Sequence, residues 1–130
     1  MTDNRKFIAD VSAWADKTKE EMLRVAKQSI QDVVRHAQTP VAQGGDMPVD
    51  TGFLRNSLEV ETRGVTLEGA DSYILGLSTL ELGDPFNVAW TAEYAIPRHY
   101  MVGTSNGGGL WRDKAAQRWE GIVQANAARI

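Results

Sequence analysis

Asp50-Thr51-Gly52 is the stretch of this sequence with the most pointed chemistry. Two-carboxylate proteolysis takes one Asp-Thr-Gly from each copy of a dimer, and the paired acids share a proton because like charges so close cannot both ionise. Ile74-Leu75-Gly76 offers a companion strand for such a site. The flanking residues argue for a different role. A catalytic Asp of this kind leaves a hydrophobic strand, whereas a loop bearing Pro40, Gly44, Gly45 and Pro48 precedes Asp50, and Phe53-Leu54-Arg55-Asn56-Ser57 after it reads as helical. Asp50 is better suited to cap that turn, its carboxylate accepting a backbone N–H two or three residues on.

The remaining reactive residues are sparse. A metal site needs three or four ligands, and His36 and His99 stand alone beside scattered carboxylates. His36 is expected to meet the terminal carbonyls of a helix, and His99 to pack beside Tyr100. No G-x-S-x-G elbow presents a serine, and the glycines of residues 103 to 109 lack the Lys-Ser/Thr ending of a phosphate loop, which leaves them as a tether. Trp111 and Trp119, eight apart, share a helical face and read as core or interface anchors rather than base-stacking platforms. No enzymatic activity and no cofactor are expected.

With 130 residues, 42% hydrophobic and 24% charged, the chain suits one globular domain spanning residues 1–130. Without cysteine it has neither disulfides nor a thiolate nucleophile. It lacks an apolar signal-peptide core and any run of 18 apolar residues, so a soluble chain retained in the compartment where it is made is expected. The net charge of -3 is unevenly spread. Residues 3–35 hold seven bases and six acids, residues 46–93 two bases and nine acids, and residues 98–129 five bases and two acids. So acidic a middle repels phosphate backbones, while the basic tail suits the acidic middle of a neighbouring copy.

The elements follow from periodicity. Phe7, Val11, Trp14, Thr18, Met22, Val25, Ser29 and Val33 recur at steps of three and four, predicting a helix over residues 5–37 about 50 Å long. Such a rod outruns a domain about 25–30 Å across, so part of its apolar face must be covered from outside. Residues 38–52, rich in Gly and Pro, form a loop. Within a sheet region of residues 57–91, Leu58, Val60 and Thr62 alternate with Glu59, Glu61 and Arg63 as a half-buried strand. Tyr73 to Leu82, apolar on both faces, reads as an inner strand, and Phe86, Val88 and Trp90 as a third. Ala92 to Val102 is expected to be irregular or helical, disturbed at Pro97. A C-terminal helix over residues 110–129 carries Trp111, Ala115, Trp119, Ile122, Val123 and Asn126 inward. The expected class is α+β: a long N-terminal helix, a small antiparallel sheet of three to four strands and a C-terminal helix.

Taken together, Pro48, Asp50, Thr51, Gly52, Leu54, Arg55 and Ser57 form a P-x-D-T-G-x-L-R-x-S block, followed at a distance by Tyr94-Ala95 and His99-Tyr100. This succession resembles the tail-component family typified by the gene 10 product of phage HK97, small neck or tail-completion proteins of long-tailed phages and prophages. The sequence departs from that pattern at Pro97, at Met101 and in the late Gly103-Thr104 pair.

The resemblance implies a structural virion protein assembled in the bacterial cytoplasm as a sixfold ring at the head–tail junction. The ring would join head to tail as tail-completion, terminator or neck protein. Its implied partners are further copies of itself and other neck or tail proteins, such as the tail tube and the connector or stopper. DNA passes its lumen without specific binding, and no membrane is involved. In such a ring Asp50 and Thr51 fix the passage from loop into strand, and Arg55 pairs with Glu59 or Glu61. Asp50→Ala or Arg55→Ala is then expected to weaken folding or assembly and no catalysis. Trp14, Tyr73, Leu75, Trp111 and Trp119 are the expected contacts between copies. The alternatives are a host-side dimeric binding module built on the long helix, a DTG-type homodimeric aspartic protease, and a DNA-binding protein.

Overall fold

The computed structural model describes residues 3–40, 43–48, 53–92, 95, 99–100 and 110–129. Asp50, Thr51, Gly52, Tyr94, Pro97, Met101 and the tether of residues 103 to 109 lie outside the described residues, so the capping role expected of Asp50 does too.

The uninterrupted three-to-four spacing produces α1, Asp3–Ala37, a single helix of 35 residues. Its last turn carries His36 and Arg35, the latter a cation placed where the helix dipole is negative. A one-turn helix α2, Phe53–Asn56, leads into β1, Leu58–Thr62. The alternation expected in β1 is present: Leu58, Val60 and Thr62 are buried, and Glu59 and Glu61 face outward. Thr62 satisfies its buried hydroxyl by donating to the Pro85 carbonyl at 2.8 Å.

Strand β2, Val65–Glu68, follows through the two-residue turn Arg63-Gly64. Both turn residues have positive φ, 54° and 76°, the mirror-image turn whose twist matches paired strands. Strand β3, Asn87–Trp90, pairs on the other side of β1, giving an antiparallel sheet of order β2-β1-β3. Val60 stands opposite Leu67 on one side and Val88 on the other. The α+β class with a long N-terminal helix and a small antiparallel sheet is therefore the fold of the chain.

Two expectations are corrected. The apolar stretch from Tyr73 is a helix, α3, Ser72–Ser78, and the Ile74-Leu75-Gly76 companion strand is absent. Its inner face is Tyr73, Gly76 and Leu77, a helical spacing, and the helix lies directly on the sheet. A Cβ at Gly76 would stand 3.1 Å from both Val60 Cγ1 and the Phe86 ring, so glycine permits this approach. Ile74 and Leu75, the apolar residues on its other side, are exposed rather than covered by a second sheet face.

The C-terminal helix is likewise two helices, α4, Trp111–Ala116, and α5, Trp119–Ala127. Arg118 N–H donates to the Ala115 carbonyl, a tighter step than the α-helical one, and the regular α-helix is interrupted there. The break lets Trp111 and Ala115 enter one cluster while α5 runs along α1.

The core has two connected parts. One joins Val34 to Leu58, Val60, Tyr73, Leu77 and Leu80, between α1, the sheet and α3. The other joins Ala37 to Met47, Leu54, Ala92, Ala95, Trp111 and Ala115. Trp90 packs against both.

Candidate functional site

The residues of the Pro48–Ser57 block that are described hold the fold. Leu54 is buried, and the Ser57 hydroxyl donates to the Leu54 carbonyl at 2.6 Å, closing the turn from α2 into β1. The Ser57 carbonyl in turn accepts from both Thr91 N–H and Thr91 Oγ1, tying the start of β1 to the end of β3. Pro48 is buried beside Met47, itself fully enclosed. Ala95, from the second motif, lies in the same cluster as Leu54, so the structure brings the two motifs into one core. Arg55 is exposed, and within one copy no ion pair among the described residues joins it to Glu59 or Glu61.

The histidines occupy separate places. His99 packs edge-on against Trp111 and Tyr100, each ring centroid at 4.8 Å, as expected for Tyr100. Its carbonyl accepts from Leu110 N–H and its Nε2 lies 3.5 Å from Asp113 N–H, so the ring closes the start of α4. Burial lowers its pKa, Asp113 opposes the shift and Arg112 adds to it. His36 does not bond helix-end carbonyls through Nε2: that nitrogen is buried and has no partner among the described residues. Burial and, next, the Arg118 cation lower its pKa against the pull of Asp46. Both imidazoles are held neutral near pH 7. Neither is set beside a nucleophile by the hydrogen bonds of the described residues. Among those residues, no group of three or more His, Asp or Glu side chains gathers to hold a metal, and no helix is long and apolar enough to cross a membrane.

Polar contacts that the sequence did not single out fasten the helices. Gln38, buried at the end of α1, donates to the Ala70 carbonyl at 2.9 Å and accepts Trp90 Nε1 at 3.1 Å. Lys114 pairs with Asp46 at 3.0 Å, tying α4 to the loop after α1. Asn126 donates to Ser29 and Asp32 across the α1–α5 seam. The signal for the last was an Asn and a Ser placed on otherwise apolar stripes, where each needs a partner.

The expected contacts between copies divide by burial. Trp111, 2% exposed, and Tyr73, 6% exposed, are core residues and are unavailable to a neighbour. Trp14, Leu75 and Trp119 are exposed at 68%, 62% and 42%, together with Met22, Ile74 and Leu82. Met22 and Trp119 among them line an apolar groove of about 450 Å³ between α1 and α5, together with Val25, Ala26, Val123, Ala127 and the carboxylate-bearing Glu21. Single exposed apolar residues are ordinary, but several large ones on one surface mark an interaction site. What the described arrangement leaves is exposed apolar surface on α1, α3 and α5. In comparisons with known proteins, the chain matches no family model, no curated protein and no solved structure.

Proposed function

We propose that this chain is a structural protein of a long-tailed phage or prophage virion, forming a sixfold ring at the head–tail junction and joining head to tail. The observation that carries the reading is the apolar surface one copy leaves bare, from Trp14 and Met22 on α1 to Trp119 on α5. In water that surface is best hidden by a partner, and identical copies around an axis hide it with closed symmetry. The P-x-D-T-G-x-L-R-x-S block adds the family resemblance, and its described members serve folding, in keeping with a protein without turnover. The tail tube and the connector or stopper are the neighbours in this reading, and acid-rich residues 46–93 suit a lumen through which DNA slides unretained.

Disruption of the gene in the phage or prophage that encodes the chain tests the reading. The expected lysate holds filled heads and separate tails, which join on addition of the purified protein, and electron microscopy finds a ring of this chain at the neck. Fully joined, infectious particles that lack the chain would overturn it.

A further inference from the structure

Where the last turn of α1 meets the step between α4 and α5, the surface holds an open recess of about 600 Å³. Arg35 and His36 line it from α1, and Arg118 lines it from the step. Asp32 is the one acid among the described residues of the lining. Its carboxylate is already engaged, accepting from Arg35 at 2.7 Å, Gln28 at 2.9 Å and Asn126 at 3.0 Å. Arg118 enters no ion pair among the described residues. With His36 neutral near pH 7, two guanidiniums against one carboxylate leave the recess one uncompensated positive charge. A second feature points the same way. His36 Nε2 is buried with no partner among the described residues, and buried polar atoms ordinarily have one, from the chain or from a bound water or ion.

We propose that this recess binds a small phosphate-bearing anion, inorganic phosphate or a monoester, with Arg35 and Arg118 as its cationic contacts. The inference goes beyond the ring reading and does not depend on it. A guanidinium presents a fork of N–H donors matched to oxyanions. The two forks come from different elements, so a tetrahedral group, with oxygens in several directions, can accept from both while Arg35 keeps one nitrogen on Asp32. The volume is that of a small-ligand pocket, and Ile122 and Ala125 of α5 give the organic part of an ester an apolar surface to cover.

Charge carries the anion's presence to His36. Around that ring stand Arg118 from the step, Asp46 from the loop after α1, Lys114 of α4 paired to Asp46 at 3.0 Å, and Asp32 and Arg35 of α1. After burial, Arg118 is the next cause that holds the imidazole below its ordinary value of 6.5. A bound anion offsets Arg118, so the ring takes up a proton more readily. By linkage, anion binding tightens as the pH falls through the range between the two imidazole values.

Calorimetric titration of the full chain tests the site, with inorganic phosphate, phenyl phosphate and sulfate as probes. Both phosphates are expected to bind saturably. Tighter binding of phenyl phosphate assigns the site to an ester, and equal affinity assigns it to the free anion. R118Q should weaken both at least about tenfold by removing the uncompensated charge, and R118K should keep part of the affinity. Both variants should hold the wild-type urea midpoint, because Arg118 is exposed and in no ion pair among the described residues. Sulfate keeps one charge state between pH 7.5 and 5.5, so a change in its affinity over that range comes from the protein. It should bind more tightly at pH 5.5, and H36Q should abolish that tightening. The proposal is overturned if neither phosphate saturates the chain, or if R118Q binds as the wild type does. Sulfate affinity that ignores pH in the wild type overturns it as well. So does duplex DNA that displaces phenyl phosphate at equal phosphate concentration, since the cations would then serve a polyanion rather than a small ligand.

Discussion

Asn126 Nδ2 donates to the Ser29 hydroxyl at 3.2 Å across the seam between α5 and α1. The same amide reaches Asp32 Oδ2 at 3.0 Å, and Asp32 is held in turn by Gln28 and Arg35. The amide thus enters a short polar network on an otherwise apolar seam, where it fixes the register of α5 along α1. Asn126→Ala removes the donor and leaves the buried Ser29 without this partner. It should lower stability by about 1–3 kcal/mol, the cost of an unpaired buried polar group. Urea unfolding checks this, and a Ser29→Ala, Asn126→Leu pair should recover part of the loss, since two matched apolar groups leave nothing unsatisfied at that contact.

Gly76 sets how closely α3 lies on the sheet. Gly76→Leu forces a side chain against fully buried Val60 and the Phe86 ring. Overpacking of this kind costs about 1–3 kcal/mol, more than the ~1 kcal/mol a better helix former returns. The expected result is a lower urea midpoint with the fold retained. Unchanged stability would mean that α3 can lift from β1 without loss.

Trp111 and Trp14 should separate folding from assembly. Trp111 lies between Trp90, at a centroid distance of 6.3 Å, and His99, so Trp111→Ala should cost about 3–5 kcal/mol in urea unfolding. Trp14→Ser, on exposed α1, should change monomer stability by no more than about 0.5 kcal/mol. It should nevertheless weaken self-association, read by sedimentation.

Stability should fall as the solution is acidified through the histidine range. His36 and His99 both have folded pKa values below 6.5, so between those values and 6.5 the unfolded chain binds more protons than the folded one. Their contribution is fully present above 6.5 and is lost as pH drops toward the folded values. Urea midpoints between pH 7.5 and 5 should show the decline, and His36→Gln should make it shallower. A midpoint that rises on acidification across this range would contradict the burial of both rings.

Much of the fold was legible in the residues. The unbroken helical spacing through residues 7–33 defines α1, and the Leu58-Val60-Thr62 alternation defines β1, because both periods run long enough to exclude the other. The signal failed at Tyr73–Ser78: a stretch this short, with apolar side chains at nearly every position, satisfies a helix and a buried strand alike. Gly76, unfavourable in an isolated helix, pointed away from the right answer, and only contact with Val60 and Phe86 gives it a purpose.

The C-terminal stripe failed in the opposite way. Trp111, Ala115, Trp119, Ile122 and Asn126 keep one helical period throughout, yet the helix is interrupted at Arg118, with both halves against α1 but only Trp111 and Ala115 in the core cluster. The same limit governed the aromatic residues, since Trp14 and Trp111 each lie on an apolar helical stripe and one is bare while the other is enclosed. Sequence by itself determined which segments are amphipathic and where charge accumulates, for these are properties of nearest neighbours along the chain. Tertiary structure alone decided which apolar faces are buried within the chain and which stay exposed, because burial depends on what arrives from far away in sequence.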